Sequence, residues 1–154
     1  MSVTDLSAYQ DPAAIRRTLH SARTIAIVGL SPNELRASNF VGFYLKRHGY
    51  TVIPVNPRAD EIFGEPSYPS LTDIPDPVDV VNVFRAPDAV PEIAREAVEI
   101  GAKTLWLQFG VISPEGAKIA EQGGMTVIMD RCLKVEHARH IGRMHWLGFN
   151  THRV

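Results

Sequence analysis

The sequence holds a single cysteine, Cys132, which excludes an intramolecular disulfide and fits a reducing compartment. It lacks a charge excess: sixteen Lys and Arg face seventeen Asp and Glu, for a formal net charge of -1. That balance removes the global electrostatic case for nucleic acid or an anionic membrane surface, both of which want a basic excess. No apolar run approaches the ~20 residues that span a bilayer. The opening MSVTDLSAYQDPAAIRRTL is polar and acidic early, unlike a signal peptide. Internal repeats and low-complexity tracts are missing as well. With 45% hydrophobic and 21% charged residues in 154, the chain is expected to form one cytoplasmic domain around one core.

What is present alternates. Asp11 as N-cap and Pro12 at the first helical position predict a short helix over 11–22, with Ile15 and Leu19 on one face. TIAIVGL then reads as a strand buried on both faces, because it is continuously apolar. SNFVGFYLKRHG predicts a helix with Phe40, Val41, Tyr44 and Leu45 as its apolar stripe and Gly49 as its stop. YTVIPVNP is a second strand. Residues 58–78 are loop-rich, with four prolines and one glycine.

DVVNVFRA, AKTLWLQFG and MTVIMDRC give three further strands, separated by helices in APDAVPEIAREAVEIG and SPEGAKIAEQGG. The final stretch LKVEHARHIGRMHWLGFNTHRV has weak helical character and then turns irregular. Strand and helix thus alternate five times. This predicts a single doubly wound, Rossmann-like parallel α/β sheet of about five strands in three layers, with its core over about 22–140.

Ligands of such sheets sit beyond the carboxyl ends of the strands. After the first strand, Gly29 permits a tight turn, yet no second or third glycine of a dinucleotide fingerprint follows. Ser31, Asn33 and Ser38 offer hydrogen bonds, Arg36 offers a charged fork for phosphate, and a helix starting near Asn39 aims free N–H groups at the loop. Ser38 also reads as a helix cap. The second strand ends in Val55, Asn56, Pro57 and Arg58, with no carboxylate to grip ribose hydroxyls, so an ordinary NAD site is disfavoured. Arg58 there leaves NADP or another phosphorylated adenosine open.

Phe84, Arg85 and Ala86 close the third strand, with Phe84 either core or cleft wall. Trp106 reads as core, whereas Gln108 is better placed to point at a ligand. Asp130, Arg131 and Cys132 end the fifth strand. An arginine and a helix start beside Cys132 would favour its thiolate, although a buried small hydrophobe is the commoner role. His137, His140 and His145 with Glu136 match no zinc spacing and read as a helix face, and no metal site is expected. Trp146 and Phe149 suit a surface covered by a partner.

Several segments in order carry a resemblance: IAIVGLSPNELRASNFVGFYL, GYTVIPVNP, IFGEPSYPSLTDIP, DVVNVFRAPDAVPEI, GAKTLWLQFGVISPEGA and VIMDRCLKVEH. Over about 24–140 the chain resembles the small stand-alone CoA-binding proteins. Their domain is similar to the N-terminal domain of the succinyl-CoA synthetase alpha subunit. The resemblance implies a cleft for coenzyme A or an acyl-CoA. Gly29, Ser31, Asn33, Arg36 and Ser38 would meet the diphosphate, and Val55, Asn56 and Pro57 would flank the adenosine. Phe84, Arg85 and Ala86 would border the groove, with Gln108, Asp130 and Cys132 toward the thiol.

The synthetase needs a second domain with a phosphorylated histidine and a nucleotide-gripping subunit. His137 and His140 lie outside that motif, so binding is implied and ligase chemistry is not. The alternatives are a CoA-thiol redox protein using Cys132, an NADP-type oxidoreductase and a bare interaction module. A homodimer or a separate enzyme subunit is the expected partner.

Overall fold

In the computed structural model, which describes residues 5–142, the first helix α1 (Pro12–Ser21) begins as its sequence dictates. Asp11 Oδ1 accepts from the Ala13 N–H at 3.2 Å, Pro12 occupies the first helical position, and Ile15 and Leu19 are buried. Five strands follow: β1 (Thr24–Val28), β2 (Thr51–Val55), β5 (Val80–Val83), β6 (Thr104–Leu107) and β7 (Thr126–Ile128). A two-stranded hairpin, β3 (Glu61–Ile62) with β4 (Glu65–Pro66), falls between the second and third of them. The five form one parallel sheet in the order β2-β1-β5-β6-β7, with Thr24 opposite Thr51 and Ile25 opposite Val80.

Successive strand residues face opposite sides, and both sides are apolar, which is why the runs show no alternation. Ala26, Val28, Val81, Val83, Leu105 and Leu107 join a core under α3 (Val90–Glu99) and α4 (Pro114–Gln122). Ile25, Ile27, Val80, Trp106 and Ile128 join a second core under α1, α2 (Ala37–Arg47) and α5 (Leu133–His137). The doubly wound, three-layer, Rossmann-like fold is therefore as the sequence predicts. Trp106 is fully buried, and its indole N–H donates to the Arg131 carbonyl at 2.9 Å.

As the loop-rich reading of residues 58–78 expects, no α-helix links β2 to β5, only a 3-10 turn at Leu71–Asp73, because Pro66, Pro69, Pro75 and Pro77 deny the segment a helical ladder. Leu71, Ile74 and Val78 fill the helix's place in the core instead. Phe40 is not part of the apolar stripe of α2 but 55% exposed. Val41 and Leu45 set the buried face, and Phe40 stands about 100° away from Val41 around the axis. Finally, α5 is only five residues long and passes into a single π-helical turn at Ala138–Gly142. His145, Trp146 and Phe149 lie outside the described residues.

Candidate functional site

Chain connections leave β1 and β5 in opposite directions, so a crevice opens beyond their carboxyl ends. It holds a cleft of about 760 Å³ whose twelve lining residues include Arg36, Arg58 and Arg85 and no Asp or Glu. None of these arginines forms an ion pair among the described residues. Gly29, Ser31, Ser38, Val55, Asn56, Pro57 and Phe84 line it as the sequence reading expects. Pro32 and Ala37 line it too, and that reading did not single them out.

Local hydrogen bonds shape the floor. The Gly29 N–H donates to the Val55 carbonyl at 2.9 Å, which carries the sheet ladder one residue past β1. Gly29 then turns at φ +90, and a Cβ there would stand 3.1 Å from both Arg85 Cδ and the Phe84 carbonyl oxygen. Only glycine fits. Ser31 Oγ accepts from the Asn33 N–H at 3.0 Å, and Asn33 Oδ1 accepts from the Leu35 N–H at 2.9 Å.

Ser38 is not a helix cap. It sits inside α2, where its hydroxyl accepts from the Ser31 N–H at 3.0 Å while Asn39 Nδ2 donates to the Ser31 carbonyl at 2.9 Å. The helix starts at Ala37, two residues before the expected Asn39, with Arg36 in the cap position and no side-chain cap. The N–H groups of Ala37 and Ser38 therefore have no partner among the described residues. They are available to an anion.

Asn56 joins two strand ends. Its Nδ2 donates to the Leu30 carbonyl at 2.9 Å, and its Oδ1 accepts from the Arg58 N–H at 2.8 Å. Its side chain thus braces the cleft and delivers Arg58 to its rim.

A second cavity of about 630 Å³ adjoins the first, sharing Ala37 and Phe84 as lining residues. Phe84 is thus a wall between the two. Gln108 and Cys132 line this second cavity, with Phe109, Val135 and Glu136 beside them. Gln108 is only 7% exposed, and its Oε1 accepts from Asn82 Nδ2 and the Leu133 N–H, each at 3.4 Å. It braces the strand ends as well as facing the cavity. An exposed phenylalanine at a strand end, Phe109, was the signal for this cavity that the sequence offered.

Three candidates line neither cavity. Asn33 is held in the turn just described. Ala86 is exposed beyond β5, where its carbonyl accepts from the Ala89 N–H at 2.9 Å. Asp130 adopts φ 60 and its Oδ1 accepts from the Gly110 N–H at 2.7 Å, which ties the β6 and β7 exits together. Arg131, expected to favour a Cys132 thiolate, points its guanidinium at the Asp130 carbonyl (2.9 Å) and Gln10 Oε1 (3.1 Å).

Glu136 and His140 do share a face, at 3.2 Å, and Arg139 closes on the same carboxylate at 3.1 Å. His137 is buried instead, its Nδ1 2.9 Å from the Tyr44 hydroxyl. No cluster of three or more potential metal ligands occurs among the described residues. No helix among them is long and apolar enough to cross a membrane.

The arrangement suits a ligand with several phosphate charges at one end. Residues 23–138 match the CoA binding domain family. The chain is 41% identical over 126 residues to the uncharacterized protein YneT of Bacillus subtilis (strain 168), covering 82% of this chain and 93% of that one. It is 36% identical over 122 residues to acetate–CoA ligase [ADP-forming] I of Archaeoglobus fulgidus, covering 72% of this chain but only 18% of the ligase. A solved structure of a hypothetical protein from Pyrococcus horikoshii OT3 superposes with a TM-score of 0.86 at 38% identity, covering 92% of this chain and 100% of that one.

Proposed function

The chain belongs to the CoA binding domain family, and on that premise we propose that it binds coenzyme A or an acyl-CoA in the arginine-lined cleft. One observation carries the reading: three arginines with no carboxylate beside them surround a loop whose helix presents two free N–H groups. CoA supplies the matching charge in its diphosphate and its ribose phosphate.

In this reading Arg36 and the N–H groups of Ala37 and Ser38 meet the diphosphate. Arg58 meets the ribose phosphate beside Val55 and Pro57, and Asn56 holds that strand end in place. Arg85 covers Gly29, and the pantetheine arm passes Phe84 toward Gln108 and Cys132. The protein binds without ligase chemistry of its own. A second copy of the chain, or a separate enzyme subunit that receives the ligand, is the proposed partner, facing the exposed Leu35, Phe40 and Phe43 beside the cleft.

A redox reading is favoured by Cys132, a half-buried free thiol lining the second cavity. Its thiolate would attack oxidised CoA: the CoA–CoA disulfide breaks, a Cys132–CoA disulfide forms, and one CoA thiolate leaves.

Native mass spectrometry of the full chain mixed with CoA, with NADP as competitor, and in a separate sample with CoA disulfide, tests these readings. Non-covalent binding predicts a mass increase of one CoA that survives an equal concentration of NADP and disappears on denaturation. With CoA disulfide, an increase of one CoA that persists through denaturation and is lost only on reduction supports the Cys132 disulfide. No increase, or displacement by NADP, contradicts the proposal.

A further inference from the structure

The two cavities that meet at Ala37 and Phe84 differ in chemistry. In the first, the arginines have no counter-ion. In the second, four of the nine lining residues, Ala37, Phe84, Phe109 and Val135, form an apolar stretch of wall, and Phe109 and Val135 are 73% and 47% exposed although both are apolar. The charged groups of this cavity are already engaged. The Glu136 carboxylate, on a side chain 4% exposed, lies between Arg139 and His140. Arg131 is hydrogen-bonded to the Asp130 carbonyl and to Gln10.

One amide remains. Gln108 uses its Oε1 within the protein, while its Nε2 has no partner among the described residues. Beneath it, Asn82 Oδ1 is fully buried and unpartnered as well. Unlike Asn82 Oδ1, that Nε2 is not sealed from solvent, so it stands open to an acceptor in the cavity that Gln108 lines.

Resting on the reading that CoA occupies the first cleft, we infer that the second cavity is an acyl pocket that selects a neutral aliphatic acyl group. The thioester carbonyl accepts from Gln108 Nε2, and the chain covers Phe109 and Val135. A free thiol leaves those two side chains in water. An acyl group ending in a carboxylate meets the Glu136 carboxylate and finds Arg139 already paired with it, while Arg131 is held by the neutral Asp130 carbonyl and Gln10. The same wall that favours an alkyl chain thus disfavours a diacid.

Calorimetric titration of the full chain under reducing conditions with CoA, butyryl-CoA, octanoyl-CoA and succinyl-CoA tests this. The expected result is a dissociation constant that falls from CoA to butyryl-CoA to octanoyl-CoA, by up to about fourfold for each methylene buried. Succinyl-CoA is expected to bind no more tightly than butyryl-CoA. In Val135→Lys and Phe109→Ser, both at exposed positions and checked for folding by circular dichroism, the CoA to octanoyl-CoA ratio collapses toward one. A flat series in a protein that binds CoA, or succinyl-CoA binding tightest, overturns the acyl pocket alone. Failure of CoA itself to bind overturns the underlying reading and the pocket with it.

Discussion

Gly29 is the residue on which the cleft turns. Its φ of +90 and the 3.1 Å approach of Arg85 Cδ to its Cβ position act together. Gly29→Ala is expected to cost roughly 1–2 kcal/mol in backbone strain alone, and to weaken CoA binding at least tenfold by displacing Arg85. Urea unfolding and calorimetry measure the two effects separately.

In the proposed reading the arginines differ from Gly29, because they would act only on the ligand. Arg36→Ala, Arg58→Ala and Arg85→Ala are each expected to weaken CoA about tenfold or more, the worth of a charged hydrogen bond, with folding stability almost unchanged. Unchanged affinity in all three variants contradicts the assignment. The arginines' place at the cleft was legible in the sequence because each falls in a loop that follows a parallel strand. Asn33, Ala86 and Asp130 looked equally suited, and the structure engages each in a local turn or a cross-loop bond. A residue list shows which groups can donate or accept, but not which are already satisfied.

At the scale of elements, the face shared by α2 and α5 adds a pH dependence. Burial, with the nearby His48 and His20 adding to it, lowers the His137 imidazole from its ordinary 6.5 to about 4. Between those values the unfolded chain takes up a proton that the folded chain refuses. This contribution is therefore complete above about pH 6.5 and is lost as pH falls toward 4, on the order of 3 kcal/mol in all. Urea midpoints from pH 7 to pH 4 should fall less steeply in His137→Phe than in the parent protein. Equal slopes would remove His137 as the cause.

A neighbouring contact ties α1 to the entry of β2. The buried Tyr50 hydroxyl donates to the Leu19 carbonyl at 2.6 Å, and burial raises its pKa to about 12. Tyr50→Phe is expected to lose about 1 kcal/mol, read from the same unfolding curves. Neither feature could be seen in the sequence, since His137 meets Tyr44 across 93 positions and Tyr50 meets Leu19 across 31. The strands were legible for the opposite reason: each is a short apolar run whose burial on two faces removes alternation. The hairpin of β3 and β4 was not, because two residues per strand carry no periodicity.

For the whole molecule, ligand binding and folding are linked. CoA at one hundred times its dissociation constant should add about 2.7 kcal/mol, which for a domain of this size raises the melting temperature by roughly 5–10 °C. Salt should weaken the effect if, as proposed, the arginines draw the ligand in by charge. The α/β architecture and the position of the cleft follow from alternation and topology. The use made of the bound ligand does not, because one fold serves many functions.

The most direct test of the account is one calorimetric comparison: CoA titrated into the parent protein and into the Arg36→Ala, Arg58→Ala, Arg85→Ala triple variant, with folding of both confirmed. The account predicts saturable one-to-one binding to the parent and at least about a hundredfold loss in the variant, as expected when several charged hydrogen bonds are removed. Binding that survives the triple substitution, or a parent protein that binds no CoA at millimolar concentration, would contradict it.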